Sequence, residues 1–226
     1  MSPLFLVGLL VLLIFIALST YRTNQILKVW TPEENLLLSI PENIARLAFI
    51  AVSIGLGFLS GESFRTLGWA PPDPLGDIVI GVAVGALLPA LLYFPSQWVE
   101  KHRPEWYSAV VIKSIRPRSP REWPWVVITL LPVALMEELL FRSLLLGAFA
   151  PYVNIVYFVI GVSVFFGLLH LPQGEWGVVG MILVSLVFSS LFLWRESLLV
   201  VVIAHWVMNV MQLALDDWSR RRALEQ

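Results

Sequence analysis

Six polar side chains stand out because they interrupt stretches of this chain that are otherwise apolar. An ionisable side chain at bilayer depth costs at least ~2.5 kcal/mol on insertion scales, so such groups normally face a polar interior and have a function. Carboxylates, imidazoles and amides are also the groups with which a protein transfers protons and stabilises an oxyanion. The six are therefore candidates for a hydrolytic site: Glu137, Glu138, Arg142, His170, His205 and Asn209.

The two adjacent glutamates are expected to have different roles. Glu138 and Arg142 are four residues apart, so they share one face of a helix and can form an ion pair. Glu137 lies about 100° around the same helix and is free to face a cavity. We therefore expect Glu137 to be the general base or acid. The alternative is an ion-pair cluster that only fixes helix packing, but this needs no second glutamate and explains no histidine.

The later polar groups are less specific when each is taken alone. His170 lies at the end of an apolar segment, where a histidine is as often interfacial as catalytic. His205, Asn209, Gln212 and Asp216 form one polar stripe on an apolar helix. Such a stripe faces protein or water, where it provides interhelical hydrogen bonds or donors to a developing oxyanion. By their spacing, we expect His205 and Asn209 to be oxyanion donors rather than partners of the glutamates.

The elements that position these groups are expected to be membrane helices. The 226 residues are 58% hydrophobic and 14% charged, with a mean hydropathy of +0.80, whereas soluble domains are closer to a quarter charged. The absence of cysteine excludes disulfides, thiolate metal sites and a cysteine nucleophile. We predict an all-α, polytopic, integral membrane domain over residues 1–226, with the site inside the bundle. It has about seven transmembrane helices: Pro3–Thr20, Ile44–Ser60, Ile78–Phe94, Trp125–Phe149, Tyr152–Leu171, Trp176–Trp194 and Leu198–Leu215.

The distribution of lysine and arginine predicts the orientation. With seven spans, one face holds most of these residues, and the other holds Arg65 and Arg195. Basic loops stay in the cytoplasm, so we expect the basic loops and the C-terminus to be cytoplasmic. The first span lacks a basic start and is expected to be an uncleaved anchor. The longest loop, Pro95–Pro124, is expected to be solvated, with a surface helix in Glu105–Ile115 as the alternative.

Three short motifs occur in order in three of the predicted spans: Glu137-Glu138-x-x-x-Arg142, Phe166-x-x-x-His170 and His205-x-x-x-Asn209. Together they resemble the CPBP family of CAAX proteases and bacteriocin-processing enzymes, also called the ABI family, which includes the type II CAAX prenyl endopeptidases. The resemblance covers residues 120–215, the expected catalytic core. Many members carry glycine directly after the arginine, where this chain has Ser143.

The resemblance implies a membrane-embedded endopeptidase that hydrolyses peptide bonds of a protein or peptide substrate, either prenylated or membrane-associated. It also implies a role for each of the six side chains. Water activation falls to Glu137 and His170, support of the site to Glu138 and Arg142, and oxyanion stabilisation to His205 and Asn209.

Depth in the membrane sets a condition on this assignment. Straight helices that start at the predicted boundaries place Glu137 about 18 Å and His170 about 27 Å from the face opposite the basic one. The resulting gap of ~9 Å is too wide for one shared water. A tilt, a kink at Pro132 or a later start of the fifth span must close this gap, or His170 is not catalytic.

Metal use and two other functions remain open alternatives. Glu137, His170 and His205 could hold zinc, but the HExxH pattern is absent and Asn209 is a poor zinc ligand. We therefore expect a metal-independent site with no cofactor. The alternatives to a peptidase are a non-catalytic immunity or scaffold protein and a proton-coupled transporter. The expected partners are the lipid bilayer and a protein or peptide substrate, with no nucleic acid, and the sequence does not indicate an oligomeric state.

Overall fold

The computed structural model describes residues 1–30, 32 and 34–224, and every regular element in this part of the chain is helical. The helix α5 continues directly into a π-helix, Leu139–Gly147. This architecture confirms the predicted all-α fold. The α-helices are α1 (Pro3–Leu27), α2 (Ile40–Ser60), α3 (Pro74–His102), α4 (Val110–Ile115), α5 (Trp123–Glu138), α6 (Ile155–Leu168), α7 (Gly174–Arg195) and α8 (Leu198–Leu224).

Membrane-spanning length is reached by six helical segments within the described residues. The segment that contains α5 runs as one span from Trp123 to Tyr152. Helix α6 is also apolar but has only 14 residues, about 21 Å at the usual helical rise. The protein is therefore an integral, polytopic membrane protein.

The fifth predicted span was too long at both ends. Instead of Tyr152–Leu171, α6 covers Ile155–Leu168. Asn154 sets the start, because its side-chain oxygen accepts the backbone N–H of Val156 at 3.2 Å, as N-cap residues do. The end comes before Pro172, where the chain turns through a 3-10 segment, Leu171–Gln173. Hydropathy did not show these limits, because the flanking residues are also apolar.

Close backbone contact fixes α8, which carries His205 and Asn209, against α3. A Cβ atom on Gly81 would lie 2.8 Å from the Val200 carbonyl oxygen. A Cβ atom on Gly85 would overlap the Ala204 carbonyl oxygen. Small residues allow this close approach of helices in membranes.

Helix α5, which carries the glutamates, lies between α2 and α8. Its buried residues Val126 and Leu130 pack with Leu213 of α8. Trp206 of α8 donates its indole N–H to the Val127 carbonyl at 2.8 Å. The two helices that carry most of the site are thus joined by apolar contacts and by a hydrogen bond.

The long loop is folded over much of its length. Helix α3 extends to His102, and α4 follows within the predicted loop. The Ser108 N–H donates to the Gln173 carbonyl at 3.1 Å. Gly174 has φ 84° and packs against the Trp106 backbone. A Cβ atom on Gly174 would lie 2.5 Å from the Trp106 carbonyl oxygen. Many residues of this segment are exposed, as expected for a solvated loop, but backbone hydrogen bonds hold it on the bundle.

Candidate active site

Glu138 and Arg142 form the ion pair that their spacing predicts, in an interior without solvent exposure. Arg142 donates through Nη1 to Glu138 Oε1 at 3.2 Å, and Nε lies 3.2 Å from Oε2. Both side chains are fully buried. Because burying two charges costs several kcal/mol per ion, a buried pair needs further hydrogen bonds.

Ser185 of α7 supplies part of that need, and the sequence analysis missed it. Arg142 Nη2 donates to the Ser185 hydroxyl at 2.9 Å and lies 3.3 Å from its carbonyl oxygen. The phenyl rings of Phe166 and Phe188 also lie over the guanidinium, at 4.8 Å and 5.6 Å from their centroids. A signal was available, because an arginine has five N–H donors and one glutamate cannot satisfy them all.

His205 lies between the two glutamates. Its Nδ1 is 2.7 Å from Glu138 Oε1, so the Nδ1–H donates to that carboxylate. Its Nε2 is 3.8 Å from Glu137 Oε2. The expectation that His205 does not partner the glutamates is therefore wrong. Spacing along one helix does not show which groups face it from another helix.

Glu137 is the more accessible carboxylate, as expected from its position on the helix. Its side chain is 24% exposed, whereas that of Glu138 is not exposed. The Oε2 atom of Glu137 is itself buried and has no hydrogen-bond partner among the described residues. Glu137 therefore combines partial exposure with an oxygen that no described residue engages.

The glutamates lie where the helix changes type. The π-helix begins at Leu139, directly after Glu138, and contains Arg142. Short π-helical segments occur frequently at functional sites. Ser143 is buried in this segment and accepts a hydrogen bond from the indole N–H of Trp69 at 2.8 Å. Ser143, which stands where many family members have glycine, thus has its own hydrogen-bond partner.

His170 belongs to the same cluster of side chains. Its Nδ1–H donates to the Phe166 carbonyl at 2.8 Å, which leaves Nε2 free. The Phe166 ring lies 4.7 Å from the ring of His170 and 6.4 Å from that of His205, between centroids. Helix α6 begins three residues later than the predicted span. At the helical rise, this removes about 4.5 Å of the expected difference in depth between Glu137 and His170.

Asn209 lies one turn beyond His205 on α8 and is half-buried. Its amide makes no hydrogen bond to the residues that the structure describes, so it can bind a ligand. The rest of the predicted polar stripe does not join the site. Gln212 is exposed, and Asp216 lies 3.3 Å from Arg220 Nε in an ion pair.

The three candidate zinc ligands are not clustered as a ready metal site. Within residues 1–30, 32 and 34–224, no group of three or more His, Cys, Asp or Glu side chains is arranged to hold a metal ion. His170 and His205 nevertheless each bind an acceptor through Nδ1 and leave Nε2 free, which is also how metal-ligating histidines are held.

Comparison with known proteins identifies the region that contains this cluster. Residues 119–211 match the family model described as "Type II CAAX prenyl endopeptidase Rce1-like", which confirms the family resemblance. The enzymes of that family are proteases, and the expected enzyme class is confirmed with it. No curated protein and no solved structure matches the chain.

Proposed function

Because residues 119–211 match the type II CAAX prenyl endopeptidase family model, we propose that this membrane protein is an endopeptidase whose site is the Glu137–His205 cluster. Its substrate is a protein or peptide that is prenylated or associated with the membrane. The observation that carries the proposal is the unpaired, buried Oε2 of Glu137, 3.8 Å from His205 Nε2. A buried carboxylate oxygen without a partner is costly in a packed interior, and a reacting water would satisfy it.

The proposed water bridges Glu137 Oε2 and His205 Nε2. Protein hydrogen bonds to water oxygens are about 2.8 Å long. We place the water at this distance from Glu137 Oε2, close to His205 Nε2. Glu137 takes a proton from the water while the water oxygen attacks the peptide carbonyl carbon. The proton then passes to the amine nitrogen as the C–N bond breaks. His170, whose Nε2 is free, is the second group that activates the water.

His205 and Asn209 stabilise the oxyanion that forms on the carbonyl oxygen. Glu138 accepts the His205 Nδ1–H, which orients the ring and stabilises a positive charge on it. Nε2–H of His205 and the amide of Asn209 then donate to the oxygen as it becomes negative. Glu138 and Arg142 support the site, and Ser185 fixes the guanidinium. We propose that this chemistry needs no metal, with zinc held by Glu137, His170 and His205 as the alternative.

We also propose a domain arrangement and an orientation. Residues 1–226 form one integral membrane domain, in which residues 120–215 are the catalytic core. The basic loops and the C-terminus face the cytoplasm.

The test is a cleavage assay on the purified protein in lipid nanodiscs. Two peptides with the same CAAX-type C-terminal sequence, one prenylated and one not, are incubated with the protein, and the products are read by mass spectrometry. We expect one defined internal cleavage, faster on the prenylated peptide and unchanged by a chelator. A Glu137→Gln preparation controls for contaminating proteases. No cleavage of either peptide would contradict a prenyl endopeptidase, and loss of cleavage with the chelator would favour zinc.

A further inference from the structure

An arginine-lined cavity lies at one end of the bundle, away from the candidate active site. It has a volume of about 280 Å³ and forms where the linker before α5 meets the last turns of α8. No part of the proposed peptidase mechanism uses it. Its charged and aromatic lining is Arg116, Arg118, Trp123, Asp217, Arg220 and Arg221.

The lining of the cavity carries a net positive charge. Four arginines line it, against one aspartate. Asp217 is shared by two of them, at 2.8 Å from Arg220 Nη2 and 2.8 Å from Arg221 Nη2. Arg220 also pairs with Asp216, whose Oδ2 lies 3.3 Å from its Nε. The two aspartates therefore neutralise Arg220 and Arg221 more than the two linker arginines. Guanidinium groups bind phosphate through two parallel hydrogen bonds, which makes arginine the preferred residue for such oxyanions.

The linker side of the cavity is held in place by local hydrogen bonds. The side-chain amide of Asn35 donates to the Arg116 carbonyl at 3.0 Å. Glu122 accepts the Arg118 backbone N–H at 2.8 Å, and Arg118 Nη2 donates to the Pro32 carbonyl at 3.4 Å. The arginines on this side thus project from a defined backbone rather than from a free tail.

The cavity lies at the expected level of lipid headgroups. Its lining residue Trp123 begins one candidate span, and Arg220 and Arg221 fall in the last turns of another. Tryptophan prefers the membrane–water interface. Trp218, on the same last turns of α8, lies under the Arg222 guanidinium, 4.2 Å from its ring centroid. Basic pockets between membrane helices at this level suit anionic lipid headgroups.

We propose that this cavity binds the phosphate group of an anionic phospholipid. The bound headgroup contacts both the start of α5 and the end of α8. These helices carry Glu137, Glu138, His205 and Asn209, so the lipid would fix the ends of the two elements that form the candidate site. The binding site itself does not depend on the proposed peptidase function.

Lipid binding to the full chain provides the test. The purified protein is titrated with phosphatidylglycerol or phosphatidylcholine, and bound lipid is counted by native mass spectrometry. We expect one retained phosphatidylglycerol and no retained phosphatidylcholine. The Arg116→Gln/Arg118→Gln variant should bind about 10- to 30-fold more weakly, from the loss of two charges near the surface. Lys101→Gln/Lys113→Gln removes the same charge outside the cavity and should bind as the wild type does.

Three results would overturn the proposal. Equal weakening in the lysine control would show a diffuse electrostatic effect rather than a site. Competition by millimolar inorganic phosphate, with the same dependence on Arg116 and Arg118, would show that the ligand is a soluble oxyanion. If the glutamine variant does not fold, Arg116→Lys/Arg118→Lys keeps the charge but loses the two-pronged contact. It should bind several-fold more weakly, and unchanged binding would contradict the proposal.

Discussion

Glu137 and Glu138 are adjacent and chemically identical, yet their surroundings separate their roles. Glu138 is fully buried and engaged by Arg142 and His205. Glu137 keeps one oxygen without a partner among the residues that the structure describes. Two carboxylates whose environments differ in this way can divide structural and proton-transfer roles. At the scale of single residues, the predictions concern the groups around this pair.

Asn209 tests the oxyanion assignment. Loss of one oxyanion donor typically costs about 10²–10³-fold in turnover, so Asn209→Ala should lower kcat by that factor with KM little changed. Asn209→Asp should be worse than alanine, because it places a negative charge where negative charge must form. Steady-state kinetics on a cleaved peptide decide this. Retained activity in Asn209→Asp, or a gain with added zinc, would favour a metal site instead.

Arg142 is expected to act mainly on stability. Arg142→Ala leaves the Glu138 carboxylate buried without its cation, which costs about 3–5 kcal/mol in soluble proteins. The variant should therefore show a large loss of thermal stability in detergent. Unchanged stability together with lost turnover would instead place Arg142 in direct catalysis.

Ser185 should contribute to the same ion pair with a smaller effect. Ser185→Ala removes a hydrogen bond to a charged group, worth about 1.5–3 kcal/mol, while the Ser185 carbonyl contact remains. Ser189→Ala is the matched control, because its buried hydroxyl has no hydrogen-bond partner among the described residues. Thermal unfolding of both variants compares the two, and equal effects would contradict the role assigned to Ser185.

At the scale of helices, the positions of the proposed catalytic side chains depend on close helix packing at residues outside the candidate site. The contact between α3 and α8 leaves no room for a side chain at Gly85, opposite the Ala204 carbonyl. Ala204 directly precedes His205, so any displacement of α8 moves a proposed catalytic group. The π-helix after Glu138 sets the direction of Arg142 in a similar way.

Gly85→Ala should therefore reduce activity without altering any proposed site residue. A displacement of 1 Å can cost about 10²-fold in rate, and we expect a loss approaching that size. Gly161→Ala on α6 is the control, since no atom lies within 4 Å of the added Cβ. Wild-type turnover in Gly85→Ala, measured on folded protein, would show that α8 need not be fixed at this point.

At the scale of the whole molecule, the sequence predicts well what depends on the cost of polar groups in a membrane. Apolar windows predict the spans, and the six polar side chains within them point to the candidate cluster. The His205–Glu138 hydrogen bond was not predictable, because it joins different helices. The five N–H donors of Arg142 predict a further acceptor, but nothing in the sequence identifies Ser185 as that acceptor. The limits of α6 were missed because its cap, Asn154, lies in an apolar context.

The orientation of the molecule is the remaining whole-chain prediction. The chain has no cysteine, so one introduced cysteine is the only thiol and no native cysteine has to be removed first. In cells, a membrane-impermeant thiol reagent should label Ala70→Cys, in the loop after α2, and should not label Lys113→Cys on the basic face. Labelling with the reverse pattern would invert the proposed sidedness.

The central claim is that Glu137 activates the water. The most direct measurement is the turnover of Glu137→Ala on a peptide that the wild type cleaves, beside its thermal stability. The account predicts no detectable cleavage in a protein that inserts and unfolds like the wild type, with Glu175→Ala, an exposed glutamate on α7, fully active. Full activity of Glu137→Ala would contradict the mechanism.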